Sequence, residues 1–132
     1  MNKKVLIIYT GGTIGMSKTK HGYAPEMTSF LNKLNKMEEL HDPSLPCWNI
    51  KVMDPILDSS NISVNEWNKI AEMVADSYFY YDGFVILHGT DTMSYSASAL
   101  SFMLENINKP VIFTGSQIPL CEIRNDAKDN LI

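Results

Sequence analysis

Two short apolar runs, each followed at once by a glycine turn rich in hydroxyl groups, constrain the fold of this chain most strongly. The first run covers residues 4–9, and the turn Thr-Gly-Gly-Thr-Ile-Gly follows it at 10–15. The second covers residues 83–87, and His-Gly-Thr-Asp-Thr follows it at 88–92. A continuous β-branched and aromatic run is typical of a strand buried on both faces. The two runs therefore predict a parallel sheet with polar loops at the ends of buried strands.

Segments with helical periodicity alternate with the strand-like runs along the chain. Residues 48–52 alternate apolar and polar side chains, and residues 111–113 form a short apolar run. The predicted order is β-α-β-α-β-α-β-α, with helices from near Thr28 until Pro43 and Pro46, from the Ser63–Glu66 capping box to Tyr78, from Tyr95 to Ile107, and from about Asp126. This alternation indicates an α/β fold with helices on both faces of a parallel sheet.

The pattern of the second strand predicts the order of the sheet. Only residues 48–52 alternate, so this strand has one wet face and is expected at a sheet edge. The flavodoxin-like order 2-1-3-4 puts it there and makes strands 1 and 3 neighbours whose connections leave in opposite directions. Ligands bind at such a switch point, beyond the carboxyl ends of the strands. The loops that hold Thr13 and Thr90 should therefore flank one crevice.

The composition excludes several classes of function. A formal net charge of −4 and a pI near 5.2 argue against a basic face for a nucleic-acid backbone. The two cysteines, Cys47 and Cys121, have no short spacing, so they form neither a disulfide framework nor a metal knuckle. No segment is long enough to span a bilayer, and the amino-terminal apolar run is too short for a secretory signal. We therefore predict a cytoplasmic protein with no nucleic-acid or membrane partner.

The glycine turn around Thr13 is open to three interpretations. Gly11 and Gly12 permit a tight turn and close approach of backbone to a ligand, and Thr13 then presents a hydroxyl at the strand exit. That hydroxyl is a poor nucleophile unless a base takes its proton. Alternatively, Thr13 only hydrogen-bonds the turn, or the turn cradles a phosphate. The turn alone does not decide among catalysis, structure and phosphate binding.

The second polar cluster favours hydrolysis of an amide. Taken alone, Asp91 is expected to cap the following helix and His88 to pack at the strand end rather than act as a base. Facing Thr13 across the switch point, however, Thr90 and Asp91 place a hydroxyl beside a carboxylate. One hydroxyl can attack while the carboxylate holds a substrate ammonium group. Backbone N–H groups at the start of the following helix can stabilise the oxyanion.

Four motifs, in order and at matching spacing, resemble those of the bacterial-type L-asparaginases, in particular the type I, cytoplasmic form. They are residues 9–15 (Tyr-Thr-Gly-Gly-Thr-Ile-Gly), 57–60 (Leu-Asp-Ser-Ser), 83–93 (Gly-Phe-Val-Ile-Leu-His-Gly-Thr-Asp-Thr-Met) and 113–117 (Phe-Thr-Gly-Ser-Gln). The resemblance implies hydrolysis of L-asparagine to L-aspartate and ammonia through a threonine nucleophile and an acyl-enzyme. It also implies a homo-oligomer in the full-length form. No cofactor and no metal are expected, because a hydroxyl nucleophile and oxyanion donors suffice for this reaction. L-glutamine is a further candidate substrate.

The resemblance also implies roles for the catalytic residues. Thr13 matches the nucleophilic threonine, which attacks the side-chain amide carbon. Tyr23, in the loop after it, matches the tyrosine that helps to activate that threonine. Thr90 and Asp91 match the threonine and aspartate of a second catalytic group. From the residues alone, Tyr23 is equally well a loop residue that packs its ring at the surface.

Further positions match the part of the family's site that holds the substrate. Asp58 and Ser59 match residues that bind the substrate's amino and carboxylate groups, and Asp91 also binds the amino group. Asp58 and Ser59 lie in an Asp-Ser-Ser-Asn turn, where hydrogen bonding to the backbone is the alternative explanation. Thr114 is expected at a strand end near the pocket.

The chain departs from the family pattern in ways that affect activity. The second catalytic group needs a lysine that neither Lys109 nor Lys128 matches by position, and a smaller carboxyl-terminal domain has no counterpart here. Residues 1–132 are therefore predicted to be an incomplete amino-terminal catalytic domain, truncated before the sheet and the second domain are complete. We expect this chain alone to be inactive, and either marginally stable or oligomeric.

Two other functions are compatible with parts of the sequence. A flavodoxin-type flavin- or nucleotide-binding module would use the turn at 10–13 to cradle a phosphate, although Asp58 and Asp91 would then share its crevice. A catalytically dead fragment that pairs with other asparaginase chains is the third hypothesis. An archaeal tRNA-dependent amidotransferase subunit shares the motifs, but it normally carries an additional domain ahead of them.

Overall fold

The computed structural model describes residues 3–132 and has a four-stranded parallel sheet at its centre. β1 (Lys4–Gly11) pairs with β4 (Cys47–Leu57) on one side and with β5 (Gly83–Leu87) on the other. β6 (Val111–Thr114) pairs with β5 and forms the second edge. Counted along the sheet strands alone, this order is the predicted 2-1-3-4, with the alternating strand at the edge. The predicted fold class is confirmed.

Four helices cover the two faces of the sheet. They are α1 (Met27–Lys36), α2 (Val64–Ser77), α3 (Met93–Met103) and the short α4 (Ala127–Leu131). Phe30 and Leu34 of α1 pack on one face, while Ile70 of α2 and Leu100 of α3 pack on the other. The connections from β1 and from β5 therefore leave toward opposite faces. The expected switch point lies between these two neighbouring strands.

The central strand β1 is buried on both faces, as its continuous apolar run predicts. Leu6 and Ile8 lie in the core on the α2–α3 side, and Ile7 and Tyr9 lie in the core on the α1 side. All four side chains are at most 3% exposed. Burying a side chain of this kind contributes about 1.5–3 kcal/mol, so β1 anchors both halves of the core.

Three local features differ from the sequence-based expectation. The third helix ends at Met103 and not at Ile107, because Leu104 leaves the helical conformation. The first helix ends at Lys36, before Pro43 and Pro46, because Met37 adopts an extended conformation; a 3₁₀ turn at Glu38–His41 follows. The turn after residue 15 also contains a hairpin that the sequence did not reveal, β2 (Met16–Thr19) and β3 (Gly22–Pro25). By contrast, the predicted capping box is present, and Glu66 accepts the backbone N–H of Ser63 at 2.7 Å.

Between residues 3 and 132, no helix is both long enough and apolar enough to cross a membrane.

Candidate active site

The loops after β1, β4 and β5 approach one another closely at two glycines, Gly12 and Gly89. Gly12 has a φ of 95°, and a Cβ there would lie 2.6 Å from both the Cα and the N of Gly89. A Cβ on Gly89 would lie 2.2 Å from the Oγ of Ser59. Since real Cβ atoms do not approach other atoms so closely, only glycine lets these three loops converge.

Two side chains at the end of β1 hold its loop in place. The Thr10 hydroxyl donates to the carbonyl of Leu87, the last residue of β5, at 2.8 Å. The hydroxyl of buried Tyr9 donates to the carbonyl of Gly12 at 3.1 Å. Burial raises the pKa of Tyr9 well above its usual value of 10.0, so the phenol stays neutral and keeps this donor. Thr10 therefore has a structural role, whereas Thr13, the next threonine along the chain, lines the cleft described below.

The converging loops enclose a cleft of about 410 Å³ at the carboxyl ends of the strands. Five of the six predicted site residues line it together: Thr13, Asp58, Ser59, Thr90 and Asp91. Its remaining walls are Gly12, Met16, Pro25, Ile56, Leu57 and Gly89. Its volume is in the range of small-molecule sites. A larger open depression of about 720 Å³ near His41 and Trp48 holds none of the predicted site residues.

The turn after β4 supplies a carboxylate and a buried serine. Asp58 Oδ1 accepts the backbone N–H of Ser60 at 3.0 Å, and this hydrogen bond keeps the pKa of Asp58 below its usual value. Asp58 therefore makes the turn contact expected of such sequences while its exposed carboxylate, ionised at neutral pH, lines the cleft. Ser59 is 7% exposed, and its carbonyl accepts the hydroxyl of Thr92 at 2.6 Å. The turn is thus tied to the loop after β5.

The loop after β5 presents Thr90 and Asp91 to the same cleft. Thr90 Oγ1 accepts a hydrogen bond from Gln117 Nε2 at 3.0 Å, which leaves the Thr90 proton free to be donated elsewhere. Thr92, and not Asp91, occupies the N-cap of α3. The capping role considered for Asp91 is therefore not the one it has here. Its exposed carboxylate shares the cleft with that of Asp58.

Tyr23 is the predicted site residue that the structure places elsewhere. It lies on β3, is 48% exposed and is not among the residues that line the cleft. Its hydroxyl donates to Glu122 Oε1 at 2.5 Å. This hydrogen bond is the main cause of the raised pKa of Tyr23. Two neighbours of Tyr23 in the hairpin, Met16 and Pro25, do form part of the cleft wall.

Residues 4–132 match the family model described as Asparaginase, N-terminal. The chain belongs to the asparaginase family. Over 130 residues it is 52% identical to L-asparaginase 1 of Escherichia coli K12, an alignment that covers 98% of this chain and 38% of that protein.

Solved asparaginase structures share the fold. The crystal structure of L-asparaginase I from Vibrio cholerae superposes with a TM-score of 0.93 at 50% identity, covering 99% of this chain and 39% of that one. The thermostable L-asparaginase from Thermococcus kodakarensis gives a TM-score of 0.76 at 38% identity, covering 97% and 38%. The chain thus spans about two fifths of the length of these asparaginases.

Neither lysine considered for the second catalytic group of an asparaginase lies in the cleft. The Lys109 ammonium donates to the carbonyls of Tyr78 and Tyr81, the latter at 2.7 Å, beyond the amino end of β6. Lys128 forms an ion pair with Glu39. Among residues 3–132, no lysine lines the cleft, and no three His, Cys, Asp or Glu side chains come together as metal ligands.

His88 is a packed residue at the end of β5, as the sequence predicts. It is 1% exposed, and its Nδ1 lies 2.7 Å from the carbonyl of Gly89, so Nδ1 carries the proton. Its Nε2 lies 2.9 Å from Ser96 Oγ, which itself accepts the indole N–H of Trp67 at 2.9 Å. The Ser96 proton therefore goes to Nε2. Burial lowers the pKa of His88, and the imidazole is neutral at pH 7.

This environment predicts an acid-sensitive step in stability. Below the usual histidine pKa of 6.5, His88 is protonated in the unfolded chain but stays neutral in the folded chain, because its pKa is lowered there. The free energy of unfolding therefore falls as the pH decreases from 6.5 toward the pKa of the folded state. We expect His88→Gln to be less stable but to show a flatter pH dependence below about pH 6.5. Urea unfolding at several pH values measures both slopes. Equal slopes would show that His88 titrates normally.

The segment after β6 supports the site through contacts that the sequence analysis did not predict. Asp126 accepts the backbone N–H groups of Gln117 at 2.9 Å and Ile118 at 3.0 Å, and Gln117 contacts Thr90. Thr114, expected near the pocket, donates instead to the carbonyl of Asn130 at 3.0 Å. The polar residues that follow β6 in the sequence indicate a loop at this place, but they do not indicate which other loops it contacts.

Proposed function

We propose that this chain carries the amino-terminal part of an asparaginase active site, in which L-asparagine is hydrolysed to L-aspartate and ammonia. The observation that carries the proposal is the cleft itself. Loops after three different strands bring two threonine hydroxyls, Thr13 and Thr90, together with two carboxylates, Asp58 and Asp91. Family membership supports the same activity, since the relatives that match over nearly the whole chain are named L-asparaginases.

Thr13 is the proposed nucleophile. Its oxygen attacks the side-chain amide carbon, the C–N bond breaks, and the nitrogen leaves as ammonia with the proton that the hydroxyl gives up. Water then hydrolyses the ester between Thr13 and the aspartyl group, which releases L-aspartate and restores the hydroxyl. Thr13 lies on the turn whose backbone is fixed by the contact of Gly12 with Gly89. Such fixation holds the nucleophile in one position.

The carboxylates account for recognition of a free amino acid. Asp91 and Asp58 give the cleft negative charge that suits an α-ammonium group. Ser59, at the start of a 3₁₀ turn, is proposed to bind the α-carboxylate. Thr90 and the backbone N–H groups at the start of α3 are proposed to bind the oxyanion that forms when Thr13 attacks. Tyr23 is proposed to assist Thr13, which requires the hairpin to bring it to the cleft.

The flavin- or nucleotide-binding alternative is not favoured by the geometry. A phosphate at the glycine turn would share the cleft with the carboxylates of Asp58 and Asp91. Like charges in one small site repel, and a phosphate site is normally lined by N–H groups and cations.

The limited span of the chain leads to a second part of the proposal. Residues 1–132 form the amino-terminal part of a catalytic domain, and the complete site includes a lysine from outside the chain. We expect the full-length form to be a cytoplasmic homo-oligomer, as the resemblance to type I asparaginases implies.

Ammonia release tests the proposal. We expect no Thr13-dependent release of ammonia from L-asparagine by this chain, because no lysine lines the cleft within residues 3–132. The comparison is between the unaltered chain and Thr13→Ala, with folding of both verified by circular dichroism. Release that disappears in Thr13→Ala would confirm the nucleophile and contradict the required lysine. Release that persists in Thr13→Ala would rule out Thr13 as the nucleophile.

A further inference from the structure

Residues 115–126, here called the strap, run from the end of β6 to α4 and contact the site at three points. Gln117 Nε2 donates to Thr90 Oγ1 at 3.0 Å. The backbone N–H of Leu120 donates to the carbonyl of Ile14, next to Thr13, at 3.2 Å. The Glu122 carboxylate accepts the hydroxyl of Tyr23 at 2.5 Å. The strap therefore links the two threonine loops and the hairpin.

The strap is itself held in one conformation. The Asp126 carboxylate accepts its backbone N–H groups at 117 and 118, and Asn130 Nδ2 donates to the carbonyl of Gly115 at 2.9 Å. Asn125 Nδ2 donates to the carbonyl of Glu122 at 2.7 Å, and Leu120 is buried in the core on the α1 side. Glu122 thus projects from a fixed part of the chain.

The hairpin has much less support than the strap. β2 and β3 pair only with each other, in a separate two-stranded sheet, and all of their residues are exposed or half-buried. Met16 and Pro25 at its base nevertheless form part of the cleft wall. The position of that wall therefore depends on what holds the hairpin, and Tyr23 is the hairpin side chain that is hydrogen-bonded to the strap.

We propose that Glu122 is a positioning residue: its carboxylate anchors Tyr23, and through it the hairpin, beside the cleft. The inference rests on the proposed function only in giving that anchoring a catalytic purpose. A hydrogen bond from a phenol to a carboxylate is short and about twice as strong as a neutral one.

The charge on Glu122 gives the contact a spectroscopic signature. The hydrogen bond to Glu122 is the first cause of the raised Tyr23 pKa, and desolvation and the negative charge of Glu122 add to it. The Cys121 thiol lies 4.0 Å from the same carboxylate oxygen, so measurements are made with a reductant present. A general loss of packing in the strap would not return the pKa of one tyrosine toward its usual value of 10.0 while the fold persists.

The test follows two observables in Glu122→Gln and Glu122→Ala. We expect the Tyr23 phenol, followed by its ¹³Cζ resonance and assigned with Tyr23→Phe, to titrate nearer its usual pKa in both variants. We also expect amide hydrogen exchange at residues 16–25 to accelerate severalfold in Glu122→Ala, with a smaller change in Glu122→Gln. Glu105→Gln removes an exposed carboxylate beyond α3 and serves as the matched control.

Each outcome decides the proposal. If exchange in the hairpin does not change, Glu122 does not anchor the hairpin, whether or not the Tyr23 pKa changes. If a Glu122 variant fails to fold, Tyr23→Phe decides: faster exchange confined to 16–25 supports the anchor, and unchanged exchange overturns it. A chain that binds no L-asparagine yet shows both responses would refute the proposed function and leave the anchor intact.

Discussion

Gly12→Ala is expected to destabilise the chain by about 3 kcal/mol or more and to separate the loops that form the cleft. An alanine Cβ at this position would lie 2.6 Å from the backbone of Gly89, which has no flexible side chain to move aside. It would also have to adopt a φ of 95°, which L residues rarely do. Strain of this kind costs about 1–3 kcal/mol, and overpacking adds a similar amount. Equilibrium urea unfolding measures the loss.

Gly22→Ala separates strain from steric overlap. Gly22 has a φ of 112°, but a Cβ there would meet nothing within 4 Å. This control should therefore show the backbone term alone, and Gly12→Ala should be clearly the less stable of the two. Equal losses in the two variants would mean that the approach of the two loops through Gly12 and Gly89 is not what holds the cleft together.

Asp91→Asn is expected to weaken binding of L-asparagine by at least roughly tenfold, since hydrogen bonds to charged groups contribute about 1.5–3 kcal/mol. The substitution keeps the shape of the side chain and removes the charge that is proposed to bind the substrate ammonium group. Thr92, and not Asp91, occupies the N-cap of α3, so stability should change little. Chemical-shift titration measures the affinity, and succinamic acid, which lacks the α-ammonium group, should bind both proteins equally weakly.

Asp42→Asn is the matched control for this substitution. Asp42 is exposed and accepts the backbone N–H of Ser44 at 2.8 Å, outside the cleft. Its replacement should leave the affinity for L-asparagine unchanged. If Asp42→Asn and Asp91→Asn weaken binding alike, the effect would come from net charge and not from recognition of the ammonium group at Asp91.

The parts of the fold set by hydrophobic pattern could be predicted from the sequence. The alternation in residues 48–52 placed β4 at the sheet edge, and the continuous runs placed β1 and β5 inside it. Since parallel strands end at one edge, the order of the strands was enough to bring Thr13 to Thr90. The convergence of the two loops in one cleft confirms that argument.

Contacts between polar side chains far apart in sequence could not be predicted. Tyr23 and Glu122 are 99 residues apart, and neither stands in a pattern that indicates the other. Asp126 looks like a helix cap, yet its carboxylate binds backbone N–H groups eight and nine residues before it. The hairpin was missed because its strands are short, polar and exposed, so no buried face imposes a period of two.

The residue types of His88 and Asp91 left two roles open for each: packing or catalysis for His88, and helix capping or a place in the site for Asp91. The hydrogen-bond partners and the start of α3 in the structure decide between them. His88 is enclosed between Gly89 and Ser96, so burial and two hydrogen bonds explain it without catalysis. Asp91 lies just before α3, but Thr92 occupies the N-cap of that helix. A one-residue difference in where α3 begins thus leaves the carboxylate free for the cleft, and sequence patterns do not fix helix ends that closely.

The central claim is that Thr13 and Thr90 face one bound substrate. Intermolecular nuclear Overhauser effects between ¹³C-labelled L-asparagine and the threonine methyl groups of the chain measure this directly. We expect contacts from the ligand to the γ2 methyl groups of both Thr13 and Thr90. Contacts to only one of them, or only to residues outside the cleft, would contradict the assignment of the two threonines to a single asparaginase site.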